Sequence, residues 1–489
     1  MGSAIEMESA IEGLLRQTGA EVLRPCDPGY TLRQDSYFST TATELHPSYI
    51  VRPHCASEVS RTIQILVSGG HVFALRSGGH GTSLGASNIE GGITLDLGLL
   101  DWTAVVENSQ GADEGGESAA LVDIGPGARW RDVYAALDKY DLMVAGGREG
   151  SVGVGGLLLG GGISFLSGSR GFACDNVAAF EVVLADGRIV QASKSMHADL
   201  FWALKGGGNN FGIVTNIRMQ AVRSRPVWGG LTVMSPETIP RAAEALVDFT
   251  SRVNEDGDSN LMCIVEYRPE TKHVALRAYL VQTAGVENAP AYSRWLQLPT
   301  THKFFGKYSF AQASGNRTMP DGYHNTWFTA TFKNDARIVS KAASLHQELI
   351  DTLKTSIVPD GDFVSLCLLQ PLPKAIVQLG DNPMGLSRQS VDGLLVMTTV
   401  MVRTAEQKTA AYPKCKEFFT TLREFARSTD EDLNLDWEYI NYADETQDPL
   451  GSYGAENVKK LKEVSERYDP EQVFQKLCRG GFKLTPTSK

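Results

Sequence analysis

The sequence predicts an α+β protein in two parts. The first is a set of short helices and strands joined by glycine loops; the second is an antiparallel sheet with helices on one face. Three observations carry this. The 489 residues include 49 glycines, and fifteen of these crowd into three short segments of the first half. Short apolar helical and strand segments alternate up to residues 221–230. Beyond them glycine becomes sparse and longer strands with intervening helices take over. The boundaries read as 1–224 for the first domain (core 45–224), 225–435 for the second, and 436–489 for a C-terminal segment returning to the first.

At the N-terminus Ile5, Ile11, Leu14 and Leu15 suit an amphipathic helix. Its acidic residues and lack of a basic leader or apolar core do not read as a secretory signal. Residues 57–68 form the next helix, with Ser57 as N-cap and Val59, Ile63, Leu66 and Val67 on one side. Gly69-Gly70 would end it. Strands follow at 71–76, 93–97 and 121–125, then a helix at 129–140 with Trp130, Val133, Tyr134 and Leu137 inward. Residues 177–193 read as a hairpin turned at Asp186-Gly187. A short helix after Asp199 and a strand at 211–220 close the first domain. In the second, strands read at 261–269, 273–283, 325–333, 363–373 and 394–402, with helices at 236–253 and 336–355.

The net charge of −11 and the scattered Lys and Arg argue against a nucleic-acid partner. No apolar run reaches the ~18 residues of a membrane span. The seven cysteines (26, 55, 174, 263, 367, 415 and 478) form no CxxC pair. Reduced thiols in the cytoplasm are the expectation, and no metal site is read. One glycosylation sequon, Asn316-Arg317-Thr318, is a chance-level match.

Glycine costs folding entropy, so three dense clusters need a reason. Close approach of backbone N–H groups to an anion such as a pyrophosphate supplies one; tight turns between strands are the plainer alternative. The clusters are Arg76-Ser77-Gly78-Gly79-His80-Gly81, the segment 146–162 with nine glycines in seventeen residues, and Gly206-Gly207-Gly208. Gly153 and Gly155 begin a dinucleotide fingerprint, but Leu158 stands where its third glycine belongs. No P-loop occurs. Gly81-Thr82-Ser83-Leu84-Gly85 matches a hydrolase elbow, yet a loop and then a strand follow it where a helix is required.

Arg76-Ser77-Gly78-Gly79-His80 resembles the first FAD loop of the vanillyl-alcohol-oxidase (PCMH-type) superfamily. In its berberine-bridge-enzyme-like branch the loop histidine bonds to the flavin 8α carbon. Residues 151–162 are similar to that branch's second FAD loop, residues 202–215 to its third signature, and Tyr439-Ile440-Asn441-Tyr442-Ala443-Asp444 to its YxNYxD element. The landmarks keep the family order over roughly residues 45–485. The resemblance implies a PCMH-type FAD-binding domain, a substrate domain, and FAD linked covalently to His80. It assigns cofactor contacts to Arg76, Ser77, Gly78, Gly79, His80, Gly81, Thr82 and Ser83. From the second loop it takes Gly147, Ser151, Val152, Gly153, Gly155, Gly156, Gly160, Gly161 and Gly162; later in the chain come Gly212, Ile213, Val214, Asn441 and Tyr442. Many members attach the flavin a second time through a cysteine; Glu149 stands at that position here and Cys174 lies off the motif, so a single link is implied.

The same resemblance implies a hydride transfer to flavin and a nearby proton acceptor. Tyr439 is the candidate base, needing a cationic neighbour or the flavin dipole to work as a phenolate; aromatic packing beneath the cofactor is the plainer role for it and for Tyr442. Asn441 would orient flavin or substrate, Gln370 would serve the substrate side, and Arg76 would support the pyrophosphate. Trp327, Tyr267 and Tyr279 are candidate pocket walls, with core packing the commoner role for such residues. Val152 takes the position that gates oxygen. The C-terminal region is similar to fungal members tied to secondary metabolism, so the expectation is an O2-dependent oxidase of a small natural-product intermediate. The alternative is a redox-neutral isomerase or cyclase with a structural flavin.

Overall fold

The computed structural model describes residues 11–106, 120–315, 319–386 and 389–485. Ile5 and the sequon at 316–318 lie outside them. Three sheets organise the chain. In the first, strands Glu21–Leu23, Tyr49–Arg52, Ile93–Asp96 and Phe73–Arg76 lie side by side in that order. The last three are parallel, because the helix Ala56–Ser68 carries the chain from Tyr49–Arg52 over to Phe73–Arg76. That helix buries Val59, Thr62, Ile63 and Leu66, while Val67 is only half-buried. Its N-cap is Cys55, not Ser57. The His54 amide donates to Glu58 in the first turn at 2.7 Å, which does part of the capping work expected of a serine. Gly70 ends the helix with φ +64°.

The second sheet is antiparallel, in the order Thr103–Val106, Ala120–Ile124, Ile213–Arg223, Val177–Val183, Ile189–Ser193; Leu142–Val144 pairs with the far end of Ile213–Arg223. Gly187 turns the hairpin with φ +87°. The helix Trp130–Asp138 buries Trp130, Val133, Tyr134 and Leu137, the inward set the spacing predicts. At the N-terminus Leu15 is buried, but Leu14 is exposed, so the amphipathic face is narrower than expected.

The third sheet has eight antiparallel strands: His302–Tyr308, Val227–Met234, Val274–Gln282, Ser259–Tyr267, Val364–Leu372, Gly393–Val402, His324–Lys333 and Asn434–Leu435. The helices Ile239–Arg252, Ala336–Thr352 and Ala405–Arg427 cover one face. Side chains alternate between the two faces of each strand. Leu261, Cys263, Val265 and Tyr267 therefore pack beneath the helices. Met262, Ile264, Glu266 and Arg268 turn toward the first half of the chain. Both faces are covered, so strands whose sequences alternate are nonetheless buried on both sides, Val364–Leu372 and Gly393–Val402 along their whole length.

The C-terminal residues lie on the glycine-rich half. The Phe73 amide donates to the Leu477 carbonyl at 3.0 Å, and the Tyr453 hydroxyl to the Gly206 carbonyl at 2.9 Å. Asn210, fully buried, donates to the Phe482 carbonyl at 3.0 Å. All seven cysteines are free thiols, five of them buried. Among the described residues, no helix is long and apolar enough to cross a membrane.

Candidate active site

A cavity of about 690 Å³ lies between the glycine loops and the inner face of the large sheet. That is within the ~300–1,000 Å³ of sites that bury small ligands. One wall is Ser77, Gly78, Gly79, His80, Gly81, Thr82 and Ser83 with Val152, Gly153, Gly155, Gly156 and Gly160. Gly212, Ile213 and Val214 extend it. The sheet contributes Met262, Ile264, Leu366, Leu368 and Met397, and the C-terminal segment Tyr439, Asn441 and Tyr442. Trp327 and Tyr279 also line it, whereas Tyr267 is stacked on Phe363 beneath the helices.

The two FAD-type loops touch through a glycine pair. A Cβ on Gly78 would sit 2.5 Å from the Gly153 Cα, and one on Gly153 would sit 2.3 Å from the Gly78 nitrogen. Only hydrogen fits on either side. Arg129 ties the loops together, donating to the Gly78 carbonyl at 2.8 Å and to the Ser151 carbonyl. The backbone around it is laced to the second loop: Trp130 N–H donates to Val152 and Val154 N–H to Ala128. Among the described residues, nothing accepts from the amides of Gly78, Gly79, His80, Gly81 or Thr82. A run of free amides in a cavity wall is a place for an anion.

His80 is mostly buried and stacks on Phe38, with ring centroids 4.0 Å apart and an interplanar angle of 8°. Burial, with Arg129 adding its positive charge, pushes the imidazole down to about 4, so it is neutral at pH 7. Its Nε2 is buried without a hydrogen-bond partner. The Glu149 carboxylate lies 3.6 Å from Nε2, too far for a hydrogen bond. Burial raises Glu149 above the ordinary carboxylate range, opposed by the Ser151 hydroxyl at 2.8 Å and the Met319 amide at 3.3 Å.

Across the cavity Arg148 joins three parts of the chain. It donates to the Gln370 amide oxygen at 2.5 Å and to the Tyr442 hydroxyl at 3.0 Å. Tyr439 is 2% exposed, stacked on Trp437 and set edge-on to Tyr442. Burial raises its phenol well above the usual range; the Asn441 hydrogen bond and the Arg148 charge act the other way. The Asn441 amide donates at 3.1 Å to Tyr439 and to the carbonyls of Leu157 and Gly160, so it holds the second loop in place.

Besides Tyr267, six residues expected at the site do not line the cavity. Arg76 is fully buried behind the first loop, where it donates to the Arg33 carbonyl at 2.6 Å and to Ser36 at 2.7 Å and lies over the Tyr37 ring. It braces the loop from behind and does not line the cavity. Gly147 is pressed on Trp130, and its carbonyl accepts from Tyr134 at 2.8 Å. The Ser151 hydroxyl is spent on Glu149. Gly161 and Gly162, at φ +92° and +82°, turn the chain away toward Ala173 and Cys174, whose amides donate to their carbonyls. Gln370 shares the face of Leu366 and Leu368 but stands back, reaching the site through Arg148. Arg148, Arg129, Phe38 and Glu266 are the residues that sequence reasoning missed; none carries a local motif, and Arg148, Arg129 and Phe38 meet partners more than twenty residues away.

Residues 47–193 match the FAD binding domain family, and residues 438–476 match the berberine and berberine-like family. The chain is 35% identical over 476 residues to the FAD-dependent monooxygenase drtC of Aspergillus calidoustus, covering 96% of this chain and 88% of that one. It superposes on 6-hydroxy-D-nicotine oxidase from Arthrobacter nicotinovorans with a TM-score of 0.77 at 23% identity, covering 96% and 98% of the two chains. Glucooligosaccharide oxidase from Acremonium strictum, described as carrying 6-S-cysteinyl, 8α-N1-histidyl FAD, gives a TM-score of 0.72 at 20% identity, covering 95% and 97%.

Proposed function

Given that the chain belongs to the berberine-bridge-enzyme-like FAD-dependent oxidoreductases, we propose that it is an oxidase of a small natural-product intermediate. It carries FAD on His80 by a single covalent link and passes electrons to O2. The observation that supports this best is His80 itself, a buried neutral imidazole with an unpartnered nitrogen in a glycine loop that lines the cavity. The residues present fit the cofactor: the free amides at 78–82 suit its phosphates, and the Gly78–Gly153 contact forms a wall that no Cβ could enter. Glu149 stands where the family resemblance puts a second attachment cysteine, which supports a single link.

When bound, FAD supplies a two-electron acceptor. The chain's own residues bind, orient and move a proton. Tyr439, in its phenolate form, takes the proton that leaves the substrate, with Asn441 donating to its oxygen and Arg148 supplying the charge that opposes burial. Gln370 and Tyr442 fix the Arg148 guanidinium from two sides. The apolar side chains of the sheet keep water from the reacting carbon. Val152, a small residue in the wall, leaves O2 a path.

Acid precipitation of the purified protein tests the link. The yellow flavin should stay with the pellet in wild type and leave it in His80→Ala. Flavin released from wild type would refute the covalent bond. Turnover should consume O2 and form H2O2 with no labelled oxygen entering the product. Turnover without O2 uptake would point to isomerisation or cyclisation, and label in the product to monooxygenation.

A further inference from the structure

We propose that Arg148 recognises an acidic oxygen on the substrate, so that the enzyme takes molecules with an apolar body and one planar oxyanion, a carboxylate or an equally acidic enol. This deepens the oxidoreductase reading and rests on it. Three observations lead here. Arg148 lines the cavity, yet its two partners, Gln370 and Tyr442, are both neutral. Among the described residues, no carboxylate pairs with it. The other charged groups in the wall are better matched. Glu266, 2% exposed, is shared by Arg268 at 3.2 Å and by Arg277, and Glu149 accepts from Ser151 and Met319.

A guanidinium has five N–H donors, and two are used here. A cation half out of water with only neutral acceptors remains poorly compensated. An anionic oxygen pair would complete it in the fork geometry that arginine favours. The rest of the ligand would meet Met262, Ile264, Leu366, Leu368 and Met397, which offer no hydrogen bonds through their side chains. A neutral ligand of the same shape would keep the apolar contacts and leave the cation as it is. The discrimination is therefore between charge states of one skeleton.

The test uses flavin-loaded wild-type protein and three probes: benzoate, the enolate of 1,3-cyclohexanedione, and neutral benzamide. Binding is read from perturbation of the flavin absorbance and by calorimetry. Benzoate or the enolate should bind at least about tenfold more tightly than benzamide, as a charge-assisted pair gives. A preference for benzoate identifies a carboxylate site, and a preference for the enolate an enol site. Arg148→Met should abolish the preference, and Arg148→Lys should keep part of it, because lysine brings charge without the planar fork. Equal affinity for all three probes in flavin-loaded wild type would overturn the assignment and leave the redox reading standing. Wild-type protein that takes up no flavin would overturn both.

Discussion

Gly156 and Gly153 stand three residues apart in the second loop, and alanine at each should do opposite things. A Cβ on Gly156 meets nothing within 4 Å. The residue lies in the first turn of the helix Val154–Leu159, is exposed, and faces the cavity. Alanine there removes the helix penalty of glycine, at most about 0.5–1 kcal/mol. The apoprotein Tm should hold or rise by no more than about 2–4 °C. The same methyl group enters space that a dinucleotide would occupy, and overpacking of that kind costs ~1–3 kcal/mol, or about 5- to 150-fold in affinity. At Gly153 a Cβ would push the Gly78 backbone from 2.3 Å, so both Tm and FAD binding should fall. The assay is FAD titration of each variant in a His80→Ala background, where binding is reversible, beside thermal unfolding of the apoproteins. A Gly156→Ala protein that binds FAD with undiminished affinity would refute the placement of the cofactor against this loop. A lower apoprotein Tm for Gly156→Ala would refute the steric argument.

Other perturbations reach other parts of the site. Arg129→Met removes the two hydrogen bonds that join Gly78 to Ser151, each worth about 1.5–3 kcal/mol; apoprotein Tm and FAD affinity should drop together, and an unchanged Kd would show that the clamp does not shape the cradle. Glu149→Gln replaces the carboxylate nearest His80, so acid-stable flavin should accumulate more slowly when apoprotein is mixed with FAD; an identical time course would exclude Glu149 from the attachment step. Tyr439 is held protonated at pH 7 by burial, so kcat/KM should rise about tenfold per pH unit above neutrality and the rise should vanish in Tyr439→Phe; a flat wild-type profile would remove it as the base. His80 is depressed to about 4 and His346 to about 3, both by burial. Each is neutral in the fold and titrates near ~6.5 when unfolded, so their contribution is whole above that pH and is lost as pH falls toward 4 and 3. The Tm of the apoprotein should decline over that window, less steeply in His80→Ala.

The glycine loops were legible because glycine is costly and its clustering needs a cause; the hairpin at Asp186-Gly187 was legible because the turn is local. Other elements were hidden for equally physical reasons. The strand Val227–Met234 contains Gly229-Gly230, which reads as a break, yet the glycines serve close packing: a Cβ on Gly230 would strike the Phe304 carbonyl of the edge strand. In Ser259–Tyr267 the period of two was visible, but both faces are covered, so nothing in the pattern told which side holds the cavity. Arg76 sits in the motif and turned out to brace it from behind, since a buried guanidinium serves the nearest carbonyls as readily as a ligand. Arg148 meets Gln370 and Tyr442 across more than two hundred residues, a contact that only the packing of three segments creates.

The Asn441 amide, bonded to the carbonyls of Leu157 and Gly160, also bears on how the holoprotein is made. A ribosome delivers the glycine loops long before the segment that closes over them. A nascent chain stalled ahead of Asn441 has the His80 loop but lacks one side of the chamber. Closure of the chamber over flavin thus waits for the segment that carries Asn441, and cells short of riboflavin should accumulate a colourless polypeptide that becomes yellow when the vitamin returns.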